Sequence, residues 1–78
     1  MLLDVINAEY IDDYKIKVTF ENGKTGIIDL LPFTREGIFK ELADRKYFKK
    51  FYINKEIGTV CWPNGQDIAP ETLYSKLR

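Results

Sequence analysis

The sequence of 78 residues contains no histidine and only one cysteine. Histidine is the commonest general base and the commonest transition-metal ligand, so neither a Cys-His nucleophile pair nor a cysteine-rich zinc site can be assembled within one chain. A single cysteine also forms no internal disulfide, as is usual in a reducing compartment. We therefore expect no metal, no cofactor and no enzyme activity.

Net charge and long apolar runs are also missing. Twelve Lys and Arg residues balance twelve Asp and Glu, which argues against a protein that mainly holds nucleic acid or an anionic membrane. The N-terminus resembles neither a signal peptide nor a membrane span. We expect a cytoplasmic protein in which no long-range repulsion keeps two copies apart.

Aromatic side chains are abundant, with five Phe, five Tyr and one Trp. The length allows a single domain, 1–78, and a domain this small buries only about 60% of the surface that its unfolded chain exposes. Large rings bury much area per residue, so we expect most of them in the core. The alternative is an interface with a partner or a second copy.

Two strands are expected in the first 20 residues. Residues 2–10 are apolar enough for a strand, but their alternation changes parity near Val5 and Ile6, which a β-bulge would reconcile. Asp12-Asp13 predicts a turn. Residues 14–20 form the clearest strand, with the apolar side chains on one face and the Lys and Thr side chains on the other.

The dipeptide Asn22-Gly23 predicts a two-residue hairpin turn of type I′, which needs positive φ at both residues. The return strand covers 24–31 and ends before Pro32. The expected register pairs Val18 with Ile27 and Phe20 with Thr25.

Short helices and a second hairpin are expected after Pro32. A connector over 33–37 leads to a short helix over 38–43, and Asp44 caps a second one through Lys50. Strands over 51–53 and 59–62 form the second hairpin.

The stretch from Trp62 to Pro70 combines a strand end, a turn and a helix start. Pro63 stops the strand at Trp62, Asn64-Gly65 turns the chain, and Pro70 begins a helix through Leu77. The whole pattern predicts an α+β fold with a small, mostly antiparallel sheet, made of two hairpins plus an N-terminal strand and packed with short helices.

Several spaced motifs coincide along the chain. They are Asp13-Tyr14, Phe20-Glu21-Asn22-Gly23-Lys24, Asp29-Leu30, Phe39, Leu42-Ala43-Asp44, Phe48, Trp62-Pro63-Asn64-Gly65-Gln66-Asp67-Ile68-Ala69-Pro70 and Leu73-Tyr74. Together they resemble the small prokaryotic family called domain of unknown function 2442. The resemblance covers almost the whole chain, and its most specific part is the Trp-Pro-Asn-Gly-x-Asp segment.

The resemblance implies a compact α+β domain in a bacterial or archaeal cytoplasm, and it implies no particular activity. Relatives are often encoded beside another small protein, in an arrangement typical of toxin–antitoxin pairs. Some relatives carry a C-terminal helix-turn-helix, which we do not expect in this sequence.

Four sets of residues are candidates for a functional site. Asp29 and Asp67 would do acid–base or metal work if they approached each other, but carboxylates in turns more often accept backbone N–H groups. Trp62 with Asn64 would line a ligand groove, although a core anchor and a turn residue are favoured. Cys61, between two apolar residues, is expected to be a small buried side chain and not a reactive thiol.

The fourth candidate is a basic helical face with i, i+4 spacing, made of Arg45, Lys46, Lys49 and Lys50. Such a face suits a phosphate or an acidic partner, but a solvated surface is favoured.

The leading hypothesis is a non-catalytic protein-interaction module, the antitoxin-like or regulatory partner of a small neighbouring protein, with self-association into a homodimer as one form. The first alternative is a DNA-associated regulator acting as a dimer. The second alternative is a small-molecule binder or weak enzyme that uses Asp29 and Asp67.

Overall fold

A computed structural model describes residues 4–35 and 37–77. These residues form two antiparallel sheets joined by short helices, which confirms the expected α+β class. In chain order the elements are β1 (Val5–Asp12), β2 (Lys15–Phe20), β3 (Thr25–Asp29), two 3-10 helices (Leu31–Arg35 and Gly37–Ala43), α1 (Arg45–Phe48), β4 (Tyr52–Asn54), β5 (Thr59–Cys61) and α2 (Pro70–Ser75).

The first sheet has the strand order β1-β2-β3. Its register shifts between Val5 and Asn7, which confirms the bulge expected near Val5 and Ile6, and it shifts again between Tyr10 and Asp12. The predicted start of this strand, residues 2–3, lies outside the described residues. The bulge changes which side chains face the core, so both parities of apolar residue are used.

The inner face of β2 forms the centre of the core, as the alternation predicts. Ile16, Val18 and Phe20 have no exposed area. The ring of Tyr74, on α2, meets Phe20 edge to face, with 5.1 Å between the ring centroids. Leu73 of the same helix is fully buried, so α2 closes one side of this sheet.

The predicted hairpin register is wrong by one residue. Val18 lies opposite Gly26 and Ile16 opposite Ile28. The connecting loop has three residues, 21–23, because the N–H of Phe20 donates to the carbonyl of Lys24 at 2.8 Å. Ile28 is consequently buried, and Ile27 is 52% exposed on the opposite face.

Several element boundaries differ from the prediction after Pro32. The return strand expected over 24–31 ends at Asp29, and the first 3-10 helix, Leu31–Arg35, begins before the connector expected over 33–37. The helix expected over 38–43 is the second 3-10 helix. Asp44 caps α1 as predicted, accepting from the N–H of Lys46 at 3.0 Å, but α1 ends at Phe48 instead of Lys50. Each predicted helix is too short to be stable alone, so tertiary contacts decide its type and length.

The second sheet pairs β4 with β5. The strand β5 ends at Cys61, one residue before the predicted end, and β4 begins one residue later than predicted. The N–H of Val5 donates to the carbonyl of Gly58 at 2.8 Å. This bond places the hairpin loop of the second sheet beside the start of β1.

Candidate functional site

Trp62 lies in the core and has no exposed area. Its indole N–H donates to the carbonyl of Phe48 at 2.9 Å. Its ring also contacts the rings of Phe48 and Phe51, with centroid distances of 5.9 and 6.5 Å. The Trp62 side chain therefore joins the end of β5 to α1 and offers no surface to a ligand in this conformation.

The chain after Trp62 turns through a loop that repeats the β2–β3 loop. The N–H of Trp62 donates to the carbonyl of Gln66 at 2.9 Å, and Gly65 donates back to the carbonyl of Trp62 at 3.0 Å. The β2–β3 loop has the same two bonds: the N–H of Phe20 donates to the carbonyl of Lys24, and the N–H of Gly23 donates to the carbonyl of Phe20. The two loops thus share the pattern aromatic-x-Asn-Gly-x and the same three-residue geometry.

In each loop the glycine takes positive φ, and the asparagine does not. Gly23 has φ +88° and Gly65 has φ +91°, while Asp13 is the one non-glycine residue with positive φ in the described chain. A type I′ turn needs two such residues, so the predicted turn type at Asn22-Gly23 is wrong. Instead, the Asn22 and Asn64 side chains accept from the N–H two residues later, at 3.0 and 3.1 Å.

Asn64 also connects its loop to neighbouring helices. Its backbone N–H donates to the hydroxyl of Tyr47 at 3.0 Å, and its side-chain amide donates to the Glu41 carboxylate. The amide group of Asn64 therefore satisfies its own turn on one side and anchors the turn on the other. These contacts give Asn64 an architectural role, although the residue is exposed.

Asp67 lies beside Cys61 and not at the helix start. Its backbone forms an isolated antiparallel bridge with Cys61. The N-cap of α2 is Ala69, and this cap makes no side-chain hydrogen bond. Within residues 4–35 and 37–77 the exposed Asp67 carboxylate has no hydrogen-bond partner, so the favoured contact with backbone N–H groups is not made there.

Cys61 is 4% exposed, which agrees with the prediction of a small buried side chain. Burial is the main cause that raises the pKa of its thiol, and the negative charge of Asp67 raises that pKa further. A thiol in this state carries little thiolate at neutral pH and is a poor nucleophile. The arrangement does not supply the activation that covalent catalysis needs.

Asp29 lies at the other candidate position, at the end of β3. Its carboxylate accepts from the N–H of Leu31 at 2.9 Å, the turn contact favoured from the sequence. It also lines a cleft of about 840 Å³ with Lys15, Ile27, Pro32 and residues 75–77 at the end of α2. Asp67 is not among the residues that line this cleft, so the cleft unites no pair of candidate carboxylates.

The outer edge of β3 is a feature that the sequence prediction missed. The backbone N–H of Leu30 donates to the carbonyl of Tyr14, and the backbone N–H of Phe20 donates to the carbonyl of Lys24. Lys24 and Leu30, which flank β3, therefore direct these backbone groups toward β2. Inward and outward residues alternate along an antiparallel strand, so Thr25, Ile27 and Asp29 direct their backbone groups away from β2. No described strand pairs with this edge. The adjacent apolar residues Ile27-Ile28 were the available signal, because only one of them can face the core.

The four basic residues are all exposed, but two of them have partners. Arg45 forms an ion pair with Asp13 at 3.1 Å, and the Lys49 ammonium lies 4.9 Å from the centre of the Tyr10 ring. Lys49 and Lys50 follow the end of α1. The basic helical face expected from the spacing is therefore not continuous, because only Arg45 and Lys46 lie within α1.

Residues 4–35 and 37–77 contain no group of three or more Cys, Asp or Glu side chains able to hold a metal ion. None of the helices among them has the length and apolar character needed to cross a membrane.

The two sheets and the repeated Asn-Gly loops define a small α+β domain in which Trp62 connects the end of β5 to α1. Residues 5–78 match the model of the family described as "Protein of unknown function (DUF2442)". Because the match spans nearly the whole sequence, the chain belongs to this family. No curated protein and no solved structure matches it.

Proposed function

We propose that this domain is a non-catalytic protein-interaction module that binds a partner chain at the outer edge of β3. The observation that carries the proposal is the row of outward backbone groups on Thr25, Ile27 and Asp29. Such an edge is a template for strand addition, in which main-chain hydrogen bonds supply affinity and side-chain pockets supply specificity.

The side chains beside the edge suit a partner that is partly apolar. Ile27 is 52% exposed and Leu31 is 38% exposed. Pro32 and Leu77 add apolar surface to the cleft, while Lys15 and Lys76 add positive charge. An extended segment laid along β3 would place alternate side chains against this cleft.

The proposed biological context is that of a regulatory or antitoxin-like partner of a small protein encoded nearby, in a prokaryotic cytoplasm. The family match names no activity. Neither alternative gains a specific supporting observation. The basic residues are partly engaged with Asp13 and Tyr10, and Asp29 and Asp67 do not share the cleft.

The test is co-purification with the protein encoded next to this gene, followed by amide hydrogen exchange on the purified pair. We expect the amides of Thr25, Ile27 and Asp29 to exchange more slowly in the complex. Ile27→Lys should weaken binding, while Ile57→Lys should not, because Ile57 is similarly exposed, at 48%, on the β4–β5 loop. A complex that leaves the β3 amides unprotected contradicts the proposed surface.

A further inference from the structure

We infer that, when no other partner protein is bound, the β3 edge pairs with β3 of a second copy, joined antiparallel about a two-fold axis at Ile27. This inference rests on the proposed function, since it names the partner for the same edge. The two three-stranded sheets would become one continuous sheet across the axis.

The backbone geometry selects this register. When Ile27 lies opposite Ile27 of the second copy, Thr25 lies opposite Asp29 and Asp29 opposite Thr25. Each of these pairs joins two residues whose N–H and C=O groups point outward, so each pair exchanges two hydrogen bonds. If the register shifts by two residues in either direction, the outward N–H and C=O groups of Thr25 or of Asp29 find no partner in the other β3 strand. If it shifts by one residue, the outward backbone groups of one strand lie opposite residues whose backbone groups point toward β2.

The side chains fit the same register. The two Ile27 side chains meet at the axis on the outer face of the sheet, where each is now 52% exposed. The carboxylate of Asp29 faces Thr25 and not another carboxylate, and Lys15 lies opposite Asp29 within each copy. Because the chain has no net charge, long-range repulsion does not oppose the approach of two copies.

Within β3 itself, several features that commonly prevent strand pairing are absent. Its five residues include no Pro and no Lys, and its pairing with β2 has no bulge. The opposite edge of the sheet differs, because β1 has two register shifts and its Val5 N–H is bonded to Gly58. Unprotected edges of regular strands are those that pair with another chain.

The predicted dimer is weak and reversible. One strand pair with a small apolar contact buries less than a standard interface, so we expect a dissociation constant of about 100 µM. Sedimentation equilibrium over a concentration series up to about 1 mM would detect a doubling of mass in that range. A chain that remains a single monomeric species throughout the series overturns the inference.

Charge variants test the axis. Ile27→Lys and Ile27→Glu should each weaken self-association at least about tenfold, because like charges then face each other. An equimolar mixture of the two variants should restore the dimer, since Lys faces Glu only if residue 27 lies on the axis. Ile57→Lys serves as the control and should dimerise like the unmodified chain. Dimers that persist in Ile27→Lys overturn the inference.

Cysteine cross-linking tests the register independently. In a Cys61→Ser background, Ile27→Cys should give a covalent dimer on oxidation, because opposed hydrogen-bonded residues lie about 5.5 Å apart between Cα atoms, within disulfide range. Thr25→Cys alone should cross-link poorly, but it should cross-link to Asp29→Cys in a mixture. Efficient Thr25→Cys homodimers overturn the register.

The failure of self-pairing differs from the failure of the proposed function. A monomeric chain whose β3 amides become protected only by the neighbouring protein refutes the homodimer and supports the interaction module. A chain whose β3 amides are protected neither by self-association nor by that protein refutes both.

Discussion

The indole N–H of Trp62 donates to the backbone carbonyl of Phe48 at 2.9 Å, across 14 positions of the chain. This bond and the contact between the two rings connect the strand β5 to the helix α1. Both residues are fully buried, so the bond is made where water cannot replace it. The Trp62 side chain therefore fixes the relative position of two elements.

Trp62→Ala should destabilise the domain by roughly 3–5 kcal/mol, because it leaves a large cavity and an unpaired buried carbonyl. Asp67→Asn should change the free energy of unfolding by no more than about 0.5 kcal/mol, since the exposed carboxylate has no hydrogen-bond partner in the described residues. Urea denaturation of the two variants measures the difference. A stable, folded Trp62→Ala variant would contradict the structural role and identify this segment as a binding surface.

Gly23→Ala and Gly65→Ala should each cost about 1–2 kcal/mol, and the two costs should be similar. In both cases an added Cβ meets no atom within 4 Å, so the cost arises only from placing alanine at positive φ. Thermal unfolding of both variants tests this equivalence. If one glycine proves far more sensitive than the other, the two loops do not share one geometry in solution.

Gly58→Ala should cost more than either of those changes. Gly58 also has positive φ, at +68°, but its Cβ would collide with the carboxylate of Asp4. Asp4→Ala removes the colliding atoms, so the double variant should recover the steric part of the loss and retain the conformational part. A double-mutant cycle measured by denaturation separates the two parts, and strictly additive effects would exclude the collision.

The stability of the domain should fall with rising pH above about 9, in part through Cys61. Its thiol pKa is raised in the fold, by burial first and by Asp67 second. Between the ordinary and the raised pKa, the unfolded chain binds fewer protons than the folded chain, so the free energy of unfolding decreases as pH rises. Below this window the contribution is fully present.

Cys61→Ser provides the comparison for that pH dependence, because it removes the thiol and keeps all other titrating groups. The difference between the two stability curves should be constant at neutral pH and should change only at alkaline pH. Alkylation of folded Cys61 at neutral pH should be slow and should accelerate on unfolding. Rapid labelling of the folded chain would show an accessible, activated thiol.

Duplex DNA should bind the isolated chain weakly and without sequence preference, near the 10⁻⁴ M end of the usual non-specific range. The charges balance at twelve of each sign, and Arg45 is paired with Asp13. Fluorescence anisotropy at physiological salt checks this expectation, with Lys46→Glu as a variant that lowers any residual affinity. Sub-micromolar, sequence-selective binding would instead favour the DNA-associated regulator.

Local sequence signals predicted which strands and helices form better than they predicted the residues at which these begin and end. The alternation in residues 14–20 identified the buried face of β2 because that face is decided by adjacent residues. The parity change at Val5 and Ile6 identified the bulge for the same reason. The helical segments over 37–43 and 45–48 were located, but the 3-10 helix Leu31–Arg35 was missed, since peptides of four to seven residues take the conformation that their surroundings impose.

The hairpin register was not accessible from the dipeptide Asn22-Gly23 alone. The dipeptide fits both a two-residue loop and a three-residue loop, and the strand register that follows differs by one residue between them. The asparagine side chain bonds to Lys24 in the three-residue loop, and this loop buries Ile28 while exposing Ile27. The core contacts of Ile28 decide between the two geometries, and those contacts come from distant parts of the chain.

The sequence by itself determined that this is a small α+β domain of its family, without histidine, and that Asn-Gly pairs lie in two of its turns. Those properties depend on composition and on neighbouring residues. Only the tertiary structure decided that Trp62 is bonded to Phe48, that Asp29 and Asp67 lie in different surroundings, and that no described strand pairs with the outer edge of β3. Each of these depends on which distant elements pack together, and that is settled by burial of the whole core.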